Sequence, residues 1–392
     1  MDGALVTRKI RVLHVVPYVL SGGVERRRLV LAKHLGDDFE QQLACYTARG
    51  PIADELSSLL PLHALSVRGK ALLSPKAHLR MHWLLTRWRP DIVHAAIFDG
   101  MFWGGLAGWL HRIPVVLLEE TSSVGPKEPK ERQRSSRAAM AVRALAKRTD
   151  GIVGVAPKVR DALLMHQQIP EAKVHLVMNG VSGFDVAPRP EARAERRRLG
   201  FDDDAYVLGG VGRMHDHHKR FSDLLRSVRA LRDRGRNVCA LIVGDGQDLE
   251  SLKALAGELD LSRHAVFTGR REDRGLFFAM MDAFVLSSAT EAAPLSLIEG
   301  MMSGRPCIAT VVGGVKDIAE HESSALLIPP LSPPAITAAV ERLLDDPQLA
   351  SSLAAAGKER AVRKFSGQRY ARDVAKLYHG RLAARRERRR SR

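Results

Sequence analysis

Residues 282–318 read DAFVLSSATEAAPLSLIEGMMSGRPCIATVVGGVKDI. A short apolar run, Ala283–Leu286, gives way to a Ser/Thr loop, and a helix is expected to open near Pro294. Proline suits a first helical position, because the N–H it lacks would have no partner there. A turn of small residues, Ser303-Gly304-Arg305-Pro306, then leads into a second apolar run, Cys307–Thr310. Glu291 falls in the loop and Glu299 in the second turn of the helix. Both carboxylates can therefore face a ligand at the helix start, where free amides also point. Carboxylates accept hydrogen bonds from vicinal hydroxyls.

The same alternation extends in both directions. Before residue 200, apolar runs lie at Ile10–Val16, Leu43–Tyr46, Ile92–Ala95, Val115–Leu118, Gly151–Val155 and Val174–Val177; after it they lie at Val207–Val211, Ala240–Val243, Val266–Thr268, Ala283–Leu286, Cys307–Thr310 and Ala325–Ile328. Continuous β-branched runs between helical stretches are the mark of parallel strands covered on both faces. Each set is enough for a doubly wound α/β domain. Gly183, Pro188 and Pro190 break the pattern between them, ahead of a basic helix-like stretch ending at Gly200. The expected division is an N-terminal Rossmann-like domain over 1–185 and a second over 186–365. A closing segment, 366–392, is expected to pack its helix back toward the N-terminal domain, with Tyr370, Val374 and Leu377 at helical spacing. No repeat of 20 to 50 residues is visible, which removes solenoids and propellers.

Composition narrows the class. The chain has 392 residues, 45% of them hydrophobic, enough for two full cores. Cys45, Cys239 and Cys307 sit in or beside apolar runs and show no zinc spacing. They read as reduced core thiols of a cytoplasmic protein. The opening MDGALVTRKI lacks the pattern of a secretory leader, and no apolar stretch reaches the length of a membrane span. The formal charge of +17 attracts polyanions or an anionic membrane. Much of the excess is in RLAARRERRRSR, Arg381–Arg392, which reads either as a frayed, solvated tail or as an electrostatic contact with an anionic leaflet. Aromatic residues make up 5% of the chain and no basic stripe interleaves with them, so a nucleic-acid or polyanion binder is the weaker reading.

Further candidates lie at the carboxyl ends of other strands. Gly22 and Gly23 precede a helix carrying Leu31 and Leu35; they read either as a turn or as glycines that let amides approach an anion. The run ending at Val211 leads into Gly212, Arg213 and a polar loop with Lys219, two cations placed to clamp a diphosphate. The alternative there is a solvated basic loop. His215, His217 and His218 have only Asp216 as a nearby carboxylate and do not follow a standard ligand spacing, so no metal is expected.

The pattern ExxPLSLIEGMMSGRPCIATxxGGxxD, with its E-x7-E spacing at Glu291 and Glu299, resembles the signature of the family four glycosyltransferases, a retaining group with the GT-B fold. The resemblance extends to SGGVE at Ser21–Glu25, PDIVH at Pro90–His94, MNGV at Met178–Val181, Arg213 with Lys219, and VGDG at Val243–Gly246. It implies two Rossmann-like domains facing across a cleft, with a nucleotide-sugar held mainly by the C-terminal domain. Glu299 would hold ribose hydroxyls and Glu291 sugar hydroxyls, while Arg213 and Lys219 would offset the leaving diphosphate in place of a metal. Gly212, Ala292, Ala293, Pro294, Leu295 and Arg270 would line the donor site, and Gly22 and Gly23 would approach the phosphates. No cofactor and no protein nucleophile are assigned.

The implied reaction moves a hexose from a UDP- or GDP-sugar to a hydroxyl, with a lipid or lipid-linked glycan at the inner membrane face as the expected acceptor. Glu119, Glu120 and Asn179 are the acceptor-side candidates. Many similar sequences have a histidine near Glu120, where this chain reads EETSS. Glu119 and Glu120 also read as a solvated strand end partnering the basic segment Lys127–Arg148, itself a candidate amphipathic surface helix. A GT-B-like nucleotide-sugar epimerase, which needs no acceptor, is the alternative enzyme.

Overall fold

The computed structural model describes residues 8–20, 22–65, 74–121, 140–141 and 143–391. The chain divides into two compact units: Met1–Ser182 with Gly367–Arg392, and Gly183–Ser366. Gly183–Asp185 belong to the second unit, three residues earlier than the Gly/Pro cluster suggests. Phe184 stacks on Phe278 with ring centroids 5.7 Å apart, and the Ala187 amide donates to the Gly275 carbonyl at 3.1 Å.

The first unit carries a seven-stranded sheet built from β1 (Ile10–Val15), β3 (Phe39–Cys45), β5 (Leu62–Ala64), β6 (Ile92–Ala96), β7 (Val115–Glu120), β8 (Gly151–Gly154) and β9 (Val174–Leu176). Its order is β5-β3-β1-β6-β7-β8-β9, and every pair is parallel. Two short strands, β2 (Tyr18–Val19) and β4 (Thr47–Ala48), pair beside it. β2, β4 and β5 have no counterpart in the apolar runs; each has two or three residues, and apart from Val19 none of them is buried.

The second unit carries β10 (Tyr206–Val211), β11 (Val238–Val243), β12 (Ala265–Phe267), β13 (Ala283–Leu286), β14 (Cys307–Thr310) and β15 (Leu326–Ile328) in the order β12-β11-β10-β13-β14-β15, again all parallel. In both sheets the chain winds outward one way from its first strand and then the other way. The reversal falls between β1 and β6 in one and between β10 and β13 in the other. Loops leaving two such neighbours diverge, and the crevice at their carboxyl ends is where doubly wound sheets take ligands. Every residue of β6, β11, β13 and β14 is buried, as strands covered on both faces must be.

The helix Gly367–Arg390 packs on the first unit, and its hydrophobic spacing explains how. Tyr370, Val374, Tyr378 and Leu382 form one buried stripe against Val30, Leu31, Phe39 and Leu117. Leu377 stays only partly buried on the flank of that stripe. The Tyr378 hydroxyl reaches His94 Nδ1 at 2.7 Å, and its ring meets Phe39 edge-on at 5.9 Å. The helix continues to Arg390, so the basic tail is helical through most of its length. Replacing Tyr378 by Ala removes the largest anchor of this helix and should destabilise the first unit by about 3–5 kcal/mol, read as a lower midpoint in urea unfolding followed by circular dichroism.

Candidate functional site

In the second unit the polar candidates converge at the carboxyl ends of β10, β13 and β14. Gly212 and Arg213 follow β10, and the Gly212 N–H donates to the Val243 carbonyl at 3.0 Å. Gly244 has φ +143°, and a Cβ there would run into the Gly212 carbonyl oxygen, so only glycine lets the end of β11 lie this close to the end of β10. That is the structural content of the VGDG motif. Gly212 is small for a second reason: a Cβ on it would stand 3.1 Å from Lys219 Cε. The lysine stem thus passes over Gly212 on its way toward β13.

Lys219 Nζ lies 2.6 Å from Glu291 Oε1, and the Ser288 hydroxyl donates to the same oxygen at 2.7 Å. The loop that carries Glu291 is held from three sides. The Ala289 amide donates to the His218 carbonyl at 2.7 Å, Ser287 Oγ to the Lys219 carbonyl at 2.9 Å, and Thr310 Oγ1 to the Ser288 carbonyl at 2.6 Å. A Cβ at Gly313, whose φ is +52°, would overlap the Glu291 carbonyl oxygen, and the Gly314 amide donates to the Ala292 carbonyl at 2.9 Å. The paired glycines of the motif leave no room for a side chain under the loop.

Pro294 is the N-cap of the helix Leu295–Met302, and Ala292, Ala293 and Leu295 line its partly buried start. Glu299 is buried in the second turn, with Oε1 3.0 Å from Arg274 Nη1. Arg274 opens the helix Arg274–Ala279 and its guanidinium lies over the Phe184 ring, 4.9 Å from the centroid. Sequence reasoning did not find Arg274. The only local cue is a cation 25 residues from Glu299 in a charged stretch, REDR, where nothing distinguishes one arginine from the other. Arg270, next to that stretch, is exposed and bonds Glu272 at 2.7 Å. Arg213 is exposed, and its guanidinium has no hydrogen-bond or ion-pair partner among the described residues. Among the described residues no group of three or more His, Cys, Asp or Glu is arranged to hold a metal. A cavity of about 290 Å³ opens at the opposite, amino ends of β10, β13 and β14, lined in part by Arg189, Arg193 and Arg305, and includes none of these site residues.

The candidates of the first unit sit differently. Gly22 is the N-cap of the helix Gly23–His34, and a Cβ on it would collide with Glu25 Oε2. Ser21 lies outside the described residues, as do residues 127–139 and 142 of the basic segment. Glu119 is not a solvated strand end. It is 1% exposed, 2.5 Å from Arg27 Nη2, 2.6 Å from Arg28 Nη2 and 3.1 Å from His94 Nε2. Two guanidiniums from the helix Gly23–His34 draw it inward and extend β7 by two residues past the apolar run. Asn179 is buried too, its Oδ1 accepting from Arg27 Nη1 at 2.7 Å while its carbonyl accepts from Arg369. Both side chains are thus committed to one network inside the unit. Glu120, the next residue, is partly buried and accepts from the Thr121 amide at 3.0 Å.

Burial alone would raise the Glu119 pKa, but Arg27 and Arg28 outweigh it and hold the carboxyl well below its usual range. Burial, with the Arg28 charge beside it, pushes His94 down to about 4. A neutral His94 with its proton on Nε2, toward Glu119, accepts the Tyr378 hydroxyl proton at Nδ1.

Comparison with known proteins bears on what this scaffold serves. Residues 191–360 match the group 1 glycosyl transferases and residues 21–182 match glycosyltransferase family 4, together most of the chain. The chain belongs to the family four glycosyltransferases. Among its relatives is the lipopolysaccharide core biosynthesis glycosyltransferase LpsD of Rhizobium meliloti, 35% identical over 178 residues, which is 45% of this chain and 50% of LpsD. This match therefore spans about half the length of that relative. The 2-deoxystreptamine glucosyltransferase of Streptomyces kanamyceticus is 27% identical over 311 residues, 76% of this chain and 79% of that protein. Among solved structures, Anabaena HepE, crystallised with UDP-glucose, superposes with a TM-score of 0.83 at 18% identity, covering 95% of this chain and all of HepE. The likeness shows the GT-B fold: two doubly wound parallel-sheet domains.

The buried network sets a pH dependence. An unfolded chain protonates its histidines near pH 6.5, whereas folded His94 stays neutral down to about 4. Between these values the unfolded state binds the extra proton, so stability present above about pH 6.5 is lost as pH falls, by about 1.4 kcal/mol per pH unit for one group. Glu119, depressed like other paired carboxylates, adds a loss only below its unfolded value of about 4.3. Urea unfolding between about pH 4.5 and 7, below and above the ordinary histidine value, should give a shallower slope for His94→Gln than for the parent chain. At about pH 7, Glu119→Ala, which leaves two buried guanidiniums unpaired, should lower stability by about 3–5 kcal/mol.

Proposed function

We propose that this glycosyltransferase moves a hexose from a UDP- or GDP-sugar to a hydroxyl acceptor with retention at the anomeric carbon and without a divalent cation. The observation that carries the reading is the convergence of Lys219–Glu291 and Arg274–Glu299 on the crevice end of β10 and β13. The second unit is the donor-binding domain in this reading and the first the acceptor-binding domain.

Each side chain then has a distinct task. Lys219 has three N–H donors and Glu291 takes one, which leaves two for phosphate oxygens. Exposed Arg213, on the same loop, adds a second cation where negative charge accumulates on the departing diphosphate, the task a metal performs elsewhere. Glu291 has its second carboxylate oxygen for a sugar hydroxyl, and its fixed loop prevents the sugar from drifting. Glu299, deeper in the second turn, suits the two ribose hydroxyls, with Arg274 holding it oriented. Ala292, Ala293, Pro294 and Leu295 supply the small walls and helix-start amides between the two carboxylates.

A carboxylate engaged with Lys219 is poorly placed as a nucleophile, and the mechanism requires none: the leaving phosphate accepts the acceptor's proton as the new glycosidic bond forms on the same face. The acceptor is read as a lipid or lipid-linked glycan. LpsD, by its name, acts in lipopolysaccharide core biosynthesis, whereas the 2-deoxystreptamine glucosyltransferase, by its name, acts on 2-deoxystreptamine. Both acceptor classes belong in the assay.

A thermal-shift screen against UDP-, GDP-, ADP- and dTDP-sugars should raise the melting temperature for a UDP- or GDP-sugar, because ligand binding stabilises the folded form by mass action. Glu299→Ala should weaken that donor about ten- to a hundredfold, the loss of a charged hydrogen-bond pair. Lys219→Ala should lower kcat more than it raises KM, and transfer should persist in EDTA. Loss of activity in EDTA with recovery on adding magnesium would sink the metal-independent mechanism. Conversion of donor alone into an epimer would favour the epimerase, and an inverted product would remove retention.

A further inference from the structure

Three segments of the first unit meet at the surface and share an unusual composition. Residues 75–89, 100–114 and 140–149 carry four, one and three Lys or Arg and no Asp or Glu at all. They also hold exposed large apolar side chains: Leu79 and Trp83 on the helix Pro75–Trp88, Trp109 and Leu110 at the end of the helix Phe98–Leu110, and Met140. Leu79 and Trp83 stand one turn apart, so both point off the same face.

Side-chain contacts make the segments one patch. His82 Nδ1 and His111 Nε2 are 3.3 Å apart, joining the first segment to the second, and Arg148 Cζ lies 5.8 Å from the Trp109 ring centroid, joining the second to the third. Lys173 then binds the end of the third segment, donating to the carbonyls of Ala146, Lys147 and Thr149 at 3.0, 2.7 and 2.8 Å. Burial lowers the Lys173 pKa; the Asp150 charge opposes this, while the charges of Arg381 and Arg388 add to it. The basic end of the helix Gly367–Arg390 therefore continues the patch. Arg87, Arg112, Lys147 and Arg148 have no carboxylate partner among the described residues.

We propose that this face of the first unit docks on an anionic phospholipid bilayer, with Trp83, Trp109, Leu79 and Leu110 entering the headgroup boundary and the surrounding cations contacting the lipid phosphates. Two features select this occupant. Aliphatic tips such as Leu79, Leu110 and Met140 have no stacking use against nucleic acid, whereas Trp with Leu beside cations suits the membrane interface. A second copy of the chain would bring like charges face to face, since the three segments hold no acid to pair with them. No helix among the described residues is long and apolar enough to cross a membrane, so the contact is one of lying on the surface. The inference gives a place to the lipid-acceptor reading and rests on that reading only for its biological use.

The test is co-sedimentation of the full chain with phosphatidylcholine vesicles with and without phosphatidylglycerol, together with quenching of tryptophan emission by brominated lipid. Of the four tryptophans, Trp103 is buried and Trp88 is bonded to Glu40, so quenching reports mainly on Trp83 and Trp109. Binding that needs phosphatidylglycerol, accompanied by quenching, is expected. Trp83→Ser with Trp109→Ser should weaken it about tenfold or more, and Arg148→Gln about fivefold, while the donor-induced thermal shift stays unchanged. Absence of vesicle binding, binding without quenching, or an unaltered double variant overturns the proposal, as does a patch-dependent dimer or RNA complex in place of the vesicle complex. A chain that binds donor but not vesicles overturns this inference alone; one that binds vesicles but no nucleotide-sugar overturns only the transferase reading.

Discussion

Lys219 and Glu291 are 72 residues apart and 2.6 Å from one another because β10 and β13 are neighbours in a parallel sheet that winds both ways. The loop after β10 and the loop after β13 begin side by side and then part to opposite flanks of the sheet. That parting opens a crevice lined by amides and helix starts, and the Lys–Glu pair bridges it. Close backbone packing at Gly244 and Gly313 fixes the two loops in place, so the pair inherits its geometry from the sheet rather than from flexible side chains.

The pairing of charges has a consequence for what the site can do when a ligand enters. A lone buried carboxylate or ammonium would be costly to desolvate, whereas a pair already in contact has met part of that cost. Lys219 and Glu299 each hold a partner and have capacity for more. In the proposed reading, an incoming diphosphate and ribose would find oriented groups, with little ordering entropy left to lose on binding.

The first unit uses the same device for a different end. Arg27 and Arg28, from the helix after β2, converge on Glu119 of β7, with His94 of β6 and Tyr378 of the last helix closing the network. A helix from the far end of the chain is thereby keyed to the sheet through a hydroxyl and an imidazole as well as through its apolar stripe. This leaves the outer surface of the unit to its exposed tryptophans and basic side chains.

What the sequence determined by itself is the part that local physics controls. The longer buried strands announce themselves because a parallel strand covered on both faces must be apolar along its whole length; Gly244 and Gly313 announce turns because few other residues adopt a positive φ, and Pro294 a helix start because the N–H it lacks has no partner there. Glu291, Glu299 and Lys219 were legible because they stand beside such signals. The tertiary structure decided which charges meet: Arg274 with Glu299, and Arg27 and Arg28 with Glu119, the residue whose strand-end position suggested solvent. That the last helix turns back to the first unit was expected; the tertiary structure decided how, seating its stripe of Tyr370, Val374 and Tyr378 against Val30, Leu31, Phe39 and Leu117. Such pairings depend on which strands lie adjacent and how far a guanidinium reaches across them, and no spacing along the chain carries that information.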